Sequence, residues 1–357
     1  MIHNSLYAFY FITTLLLFLV KGKKTFNSST TIAILMSLWL AFSRFLVEIN
    51  DSLRIAALFG APMVLIGVYF IASSVNFYEF RELLLKHLNR ISIITILTWF
   101  IHETFFPYSF TYGSTIFFLV FHKWGDRMAS LWWEPGMYQI IMIFILMLFM
   151  DELKKISFSN LRYYIKKFGW VIACLIMCRS TMGYMCLIAM IGLVFLFNDS
   201  LGKKKFLYFL GLVLGVVLII LILRSDVVVQ KIGEDENTRS GSYRIRMQDN
   251  IALLNMSFVS PILGIGENSR LTEKYGVIYN NITASNGWLK LAVRSGWPFL
   301  ICFILIMLKG LSRMKLGVPA VMAFIPLFLS YSNEHYILYP IALIYLFKYK
   351  SYKKVGG

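Results

Sequence analysis

The sequence predicts an all-α polytopic membrane protein, one integral-membrane domain over residues 1–357. Composition comes first: 58% of residues are hydrophobic, 17% aromatic and 15% charged, with a mean hydropathy of +0.69. Soluble chains run nearer a quarter charged, roughly 25%, and could not hide this much apolar surface. Second, the apolar runs approach the ~17–25 residues that a helix needs to cross a ~30 Å hydrocarbon layer. Their pattern does not alternate, so helices rather than a closed barrel satisfy the backbone in lipid. Third, Lys and Arg gather at the ends of these runs, on every second connection, as topology determinants do.

About eleven spans follow in order, at 5–20, 28–47, 55–74, 91–106, 136–150, 168–178, 183–197, 206–223, 286–308, 317–332 and 336–347. The first run, Ser5–Val20, lacks a basic leader and an Ala-x-Ala site and is expected to stay as the first helix. The basic connections are Lys21/Lys23/Lys24, Arg81/Lys86/Arg90, Lys154/Lys155/Arg162/Lys166/Lys167, Lys203–Lys205, Lys309/Arg313/Lys315 and Lys348/Lys350/Lys353/Lys354. Positive charge stays inside, so that side is the cytoplasm, the N-terminus is outside and the C-terminus inside. The net charge of +17 therefore marks topology, and no nucleic-acid partner is expected. Cys174, Cys178, Cys186 and Cys302 fall within apolar runs, without metal-ligand spacing or a disulfide framework. No Walker glycine loop, Asp-x-Asp motif or metal site is present, so neither a nucleotide nor a cofactor is expected to drive the chemistry. The glycosylation sequons occur near chance frequency, and no repeat of fixed period is found.

The same alternation places Arg224–Ser285 outside as one large extracytoplasmic loop, residues 224–285, holding Arg224, Arg239, Arg244, Arg246 and Arg270. Within it Met247, Ile251, Leu254 and Phe258 recur at helical spacing, the stripe of an amphipathic helix that can lie apolar side down on membrane lipid. Ser242 suits its cap and Pro261 its stop. Arg244, Gln248 and Asn255 flank the stripe on one side, Arg246 and Asn250 on the other. A guanidinium offers a planar fork of donors that suits a diphosphate; pairing with Asp249 or lipid headgroups is the plainer use.

Arg179 lies in a tight Arg-Ser-Thr-x-Gly turn between two short apolar runs, at a depth where charge is costly and points to function, unless the side chain snorkels. Arg44 shares that ambiguity, with Glu48 one turn on. Glu134 precedes Pro135-Gly136 where the second outer connection re-enters the membrane; it either complements a helix dipole or aims a carboxylate at a hydroxyl. Ser285-Asn286 opens a span that carries Lys290 and Arg294. His335, in the last outer turn, is either a proton carrier or a solvated loop residue. His102 with Glu103, His122 and Asp126 are weaker candidates.

Taken together, Glu134-Pro-Gly, the Arg179 hairpin, Arg244-Ile-Arg-Met, Pro261-Ile-Leu-Gly-Ile-Gly266, Ser285-Asn-Gly-Trp-Leu and Arg294-Ser-Gly resemble the bacterial O-antigen and capsular polysaccharide polymerase family and its O-antigen ligase relatives. The similarity in motifs covers roughly residues 130–300. The resemblance implies a GT-C-like membrane glycosyltransferase that takes an undecaprenyl-diphosphate-linked oligosaccharide as donor, on the outer leaflet of the bacterial cytoplasmic membrane. It also implies a flippase and a chain-length regulator as partner proteins. The family's loop arginine corresponds to Arg244 or Arg246, and its hairpin arginine to Arg179. Where the ligases carry His-Asn, this chain has Ser285-Asn286, a departure that favours a polymerase and leaves the base unassigned.

What the resemblance then implies is catalysis by Arg179 and Arg244, with Arg246 as substitute, gripping the diphosphate, and Glu134 or His335 taking the acceptor proton. Arg239, Arg270, Ser285, Asn286 and Arg294 are the expected substrate-binding residues. A flippase or transporter would show internal repeats and charges buried at mid-membrane, whereas here the charges gather at one face.

Overall fold

The computed structural model describes residues 2–22, 27–49, 55–105, 111–112, 115–118, 121–124, 127–130, 135–197, 242–266, 270–278, 286–313, 320–332 and 340–351. The expected span at 206–223, and Glu134, Arg239, Ser285 and His335 with it, lie outside these residues. The fold is mostly helical and divides into two compact units. Unit 1 comprises Met1–Glu79, Val229–Met314 and Glu334–Gly357; unit 2 comprises Phe80–Val228 and Lys315–Asn333.

Unit 1 begins with three apolar helices, α1 (Ile2–Lys21), α2 (Ser28–Glu48) and α3 (Ile55–Ser74), and α3 packs against both others. Asn27 caps α2, its Oδ1 accepting from the Ser29 and Thr30 N–H groups at 2.9 and 3.2 Å, the side-chain acceptor a helix start requires. Val64, Leu65, Val68 and Ala72 are buried, a single face at helical spacing. The Tyr69 hydroxyl meets Thr30 Oγ1 at 2.8 Å, and the Phe18 and Phe70 rings stack at 4.7 Å.

Unit 2 is organised by α4 (Phe77–Phe105), whose first residues belong to unit 1, with α5 (Pro135–Met147), α6 (Met150–Leu153), α7 (Leu161–Met177), α8 (Thr181–Leu196) and, after the loop region, Ala320–Tyr331. On α4 the inner face carries Ser92, Thr95 and His102 while Leu97 and Phe100 are 56% and 64% exposed. Polar groups inward and apolar groups outward is the arrangement of a helix solvated by lipid. Ser92 Oγ meets Tyr138 Oη at 3.2 Å, and Thr95 Oγ1 meets Ser130 Oγ at 2.6 Å. Near the start of α4 the fully buried Arg81 donates to Asp151 Oδ1 at 2.5 Å, to the Leu148 carbonyl at 2.9 Å and to Glu152, and lies over the Phe149 ring. Lys167 bridges Glu82 and Glu152 at 2.7 and 2.8 Å.

Several expectations are corrected here. Beside the helices that dominate the fold, β1 (Thr111–Tyr112), β2 (Thr115–Phe118), β3 (Phe121–Trp124) and β4 (Arg127–Ser130) pair as a small antiparallel meander between α4 and α5, which the sequence pattern does not predict. Its strands are rich in β-branched and aromatic residues, which favour pleated backbone. The fourth helix starts at Phe77 rather than at 91, because Arg81 finds carboxylate partners and need not end it. The run at 286–308 is two helices, broken at Gly296. Among the described residues of the last run, Pro340–Leu343 form a short helix and the chain then turns. Ser28–Val47 and Phe77–Phe105 are long and apolar enough to cross a membrane; shorter apolar helices include Ala8–Lys21, Leu58–Ser74, Pro135–Met147, Met182–Val194 and Met322–Tyr331. With large apolar residues turned outward along them, these helices make a membrane protein.

Candidate functional site

The hairpin of unit 2 forms because α7 cannot continue through residue 179. Arg179 has φ 45°, a left-handed conformation that is uncommon for a residue with a Cβ and is retained where surrounding structure enforces it. The enforcing contacts converge on backbone carbonyls. Arg179 N–H donates to the Ile176 carbonyl at 3.1 Å, Tyr184 N–H to the Ser180 carbonyl at 3.0 Å and Tyr184 Oη to the Ile176 carbonyl at 2.7 Å. Arg127 Nε donates to the Cys178 carbonyl at 3.4 Å, tying β4 to the turn. Arg179 itself is exposed, and Ser180 behind it is buried. The turn leads straight into α8, so Arg179 immediately precedes the positive end of that helix, while Arg127 sits on the carbonyl that ends α7. Neither Arg127 nor Gln139, which packs on Gly183 in this turn, was expected from sequence. Arg127 stood among aromatic residues with no helical period to place it, and Gln139 is a lone amide in an apolar run.

In unit 1, residues 242–313 include α9 (Ser242–Ser257), α10 (Arg270–Ile278), α11 (Gly287–Ser295) and α12 (Trp297–Arg313). The α9 stripe of Met247, Ile251, Leu254 and Phe258 is exposed, while Asp249, Ala252, Leu253 and Met256 on the opposite side are buried. Leu253 and Met256 form a core with Ile265 and Val293, and Leu271, Tyr275 and Leu289 pack against it. The helix is thus apolar on two faces, one for the protein and one turned outward.

Two sequence motifs meet behind α9. Gly264 and Gly296 have φ 78° and 85°, and a Cβ at Gly264 would lie 2.5 Å from the Arg294 carbonyl. Only glycine supplies both that backbone conformation and the missing side chain. Ile265 N–H reaches the Val293 carbonyl, and Trp297 N–H the Pro261 carbonyl. The Trp39 indole of α2 donates to the Ser295 carbonyl at 2.8 Å. The Phe258 and Trp297 rings stack at 5.8 Å.

The expected site residues are distributed as follows. Arg246 is exposed on α9 and Arg270 is exposed at the start of α10. Asn286 caps α11, its Oδ1 accepting the Leu289 N–H at 3.1 Å, and Lys290 and Arg294 lie one and two turns further along. Arg244 is in the first turn of α9. Since α9 packs on α11, Arg246 and Arg294 stand on adjoining helices of unit 1, whereas Arg179 belongs to unit 2. Among the described residues no group of three His, Cys, Asp or Glu is placed to hold a metal.

Residues 168–304 match the family model described as O-antigen ligase. The matched stretch contains the Arg179 hairpin, α9, the glycine crossing, α11 and the first half of α12, and it covers less than half of the 357 residues. The O-antigen ligase match agrees with the resemblance carried by the motifs and links the chain to membrane glycosyltransferase-like enzymes of polysaccharide assembly. No curated protein and no solved structure matched the chain.

Proposed function

We propose that this protein is a polysaccharide polymerase. It joins undecaprenyl-diphosphate-linked oligosaccharide repeat units on the outer leaflet of the bacterial cytoplasmic membrane, with the N-terminus outside and the C-terminus in the cytoplasm. The observation that carries the reading is Arg179, an exposed guanidinium held at φ 45° at the head of α8, inside the segment matched to the O-antigen ligase family.

In this reaction the acceptor hydroxyl attacks the anomeric carbon of the donor sugar. The bond from that carbon to the diphosphate oxygen breaks, and its electron pair leaves with the lipid diphosphate. Arg179 and Arg244, with Arg246 as substitute, hold the diphosphate and stabilise the charge that develops on it. The hydroxyl proton passes to Glu134 or His335. Direct attack inverts the anomeric centre, and no step calls for a metal. Arg239, Arg270, Ser285, Asn286 and Arg294 are the residues nearest in character to a saccharide and phosphate lining; a flippase supplies the donor and a chain-length regulator limits the product.

Ligase activity is the second reading, favoured by the description of the matched family. Ser285 in place of the ligase histidine supports polymerase instead. Purified protein given only the lipid-linked repeat unit should lengthen it. Transfer that occurs only when a lipid A-core acceptor is added would identify a ligase. In cells, Arg179→Ala and Arg244→Ala should each abolish long glycan chains at unchanged membrane level. Normal chain lengths in both variants would sink the reading.

A further inference from the structure

Gln139 is the most isolated polar side chain around the hairpin. It lies on α5, where Tyr138, Ile140, Ile141 and Met142 are all buried, and is itself 0% exposed. Neither its Nε2 nor its Oε1 has a hydrogen-bond partner among the described residues. An amide buried that way is costly, and a leucine or methionine would fill the same volume without the cost. Its location is specific. A Cβ built on Gly183 would fall 2.8 Å from Gln139 Cγ and 3.1 Å from its Oε1, so the absence of a side chain at 183 is what admits the amide. Gly183 belongs to the first turn of α8, and its N–H donates to Ser180 Oγ at 3.4 Å. The carboxamide thus rests against the helix start that follows Arg179.

We infer that Gln139 is a donor-binding residue that hydrogen-bonds the sugar next to the diphosphate. The inference rests on the proposed reading of Arg179 as the diphosphate contact. Charge and chemistry divide the work. A diphosphate has only acceptor oxygens and is served by guanidinium groups and helix N–H groups. A carboxamide offers a donor and an acceptor side by side, which a sugar hydroxyl or acetamido group satisfies together. Turning toward such a ligand sacrifices no hydrogen bond to the described residues.

The test is binding by the full-length protein in lipid nanodiscs, with undecaprenyl-diphosphate-N-acetylglucosamine and sugar-free undecaprenyl diphosphate as probes. Gln139→Leu should keep or raise the melting temperature, weaken the sugar-bearing probe about tenfold, the worth of one good hydrogen bond, and leave the sugar-free probe unchanged. Gly183→Ser, which crowds the amide from the other side, should repeat that split, and Gln139→Met serves if the leucine variant does not accumulate. Arg179→Ala should weaken both probes. Unchanged binding of both probes by Gln139→Leu, or equal weakening of both, overturns the inference while leaving the reading of Arg179 intact. Unchanged binding of both by Arg179→Ala overturns that reading itself.

Discussion

The backbone N–H of Ile265 donates to the carbonyl oxygen of Val293 across 2.7 Å, and four residues on, Trp297 N–H donates to the Pro261 carbonyl at 2.8 Å. Between these two bonds the Pro261–Gly266 stretch crosses the Val293–Trp297 stretch with glycines at the contact. A Cβ at Gly296 would lie 1.8 Å from the Ile262 carbonyl oxygen.

Gly296→Ala is therefore expected to unfold the part of unit 1 built from α9, α11 and the start of α12. The left-handed backbone and the overlap together cost more than roughly 3 kcal/mol. Gly276→Ala is the counter-case, because nothing lies within 4 Å of a Cβ there and the site is inside α10. It should stabilise by about 0.5–1 kcal/mol. Thermal unfolding of the purified variants, read by intrinsic fluorescence, compares the two directly.

The stripe on α9 should touch lipid. A fluorophore at position 251 should be quenched by lipids carrying a spin label near the headgroup, and one at position 253, on the buried face, should not. Ile251→Asp should weaken that interfacial seating by about 2 kcal/mol without lowering the melting temperature. Equal quenching at both positions would refute the orientation of the helix.

Much of this was legible in the sequence, and the gaps have physical causes. Apolar runs and their charged ends placed most helices, since both signals are local. The α9 stripe was legible because four apolar residues recur on one face. Its second, buried face was not, because Ala252, Leu253 and Met256 surround a buried Asp249 and become a core only when Ile265 and Val293 arrive. The motifs that cross were visible singly, but the fit of Gly264 and Gly296 is non-local. The meander was overlooked because its strands have four residues or fewer, too few to show a period. The break at Gly296 was written as Gly-Trp-Pro, yet the apolar residues on both sides concealed it.

Removing Arg81 should cost unit 2 about 3–5 kcal/mol, the loss expected when a buried pair is broken and a charge left behind. Asp151 and Glu152 would lose their shared cation. Arg81→Lys should fall between wild type and Arg81→Ala, since an ammonium restores charge but not the fork that reaches both carboxylates. Melting temperatures of the three proteins provide the ranking.

Arg179→Gly separates conformation from charge at the hairpin. Glycine adopts φ 45° without strain, so this variant should be as stable as wild type or more so, by up to about 1 kcal/mol. The glycan-lengthening activity proposed for the protein should nonetheless be lost with the guanidinium. An active Arg179→Gly enzyme would mean that the turn, and not the charge, is what matters.

The glycine crossing has a mechanical consequence. Side chains let packed helices slide by changing rotamer, but where backbone rests on backbone there is no such slack. The crossing acts as a rivet between α9 and α12, so rotation of one carries the other. A spanning helix answers a thicker or thinner bilayer by changing its tilt. Through the rivet, any tilt of α12 would be passed on to α9, the helix that carries Arg244 and Arg246.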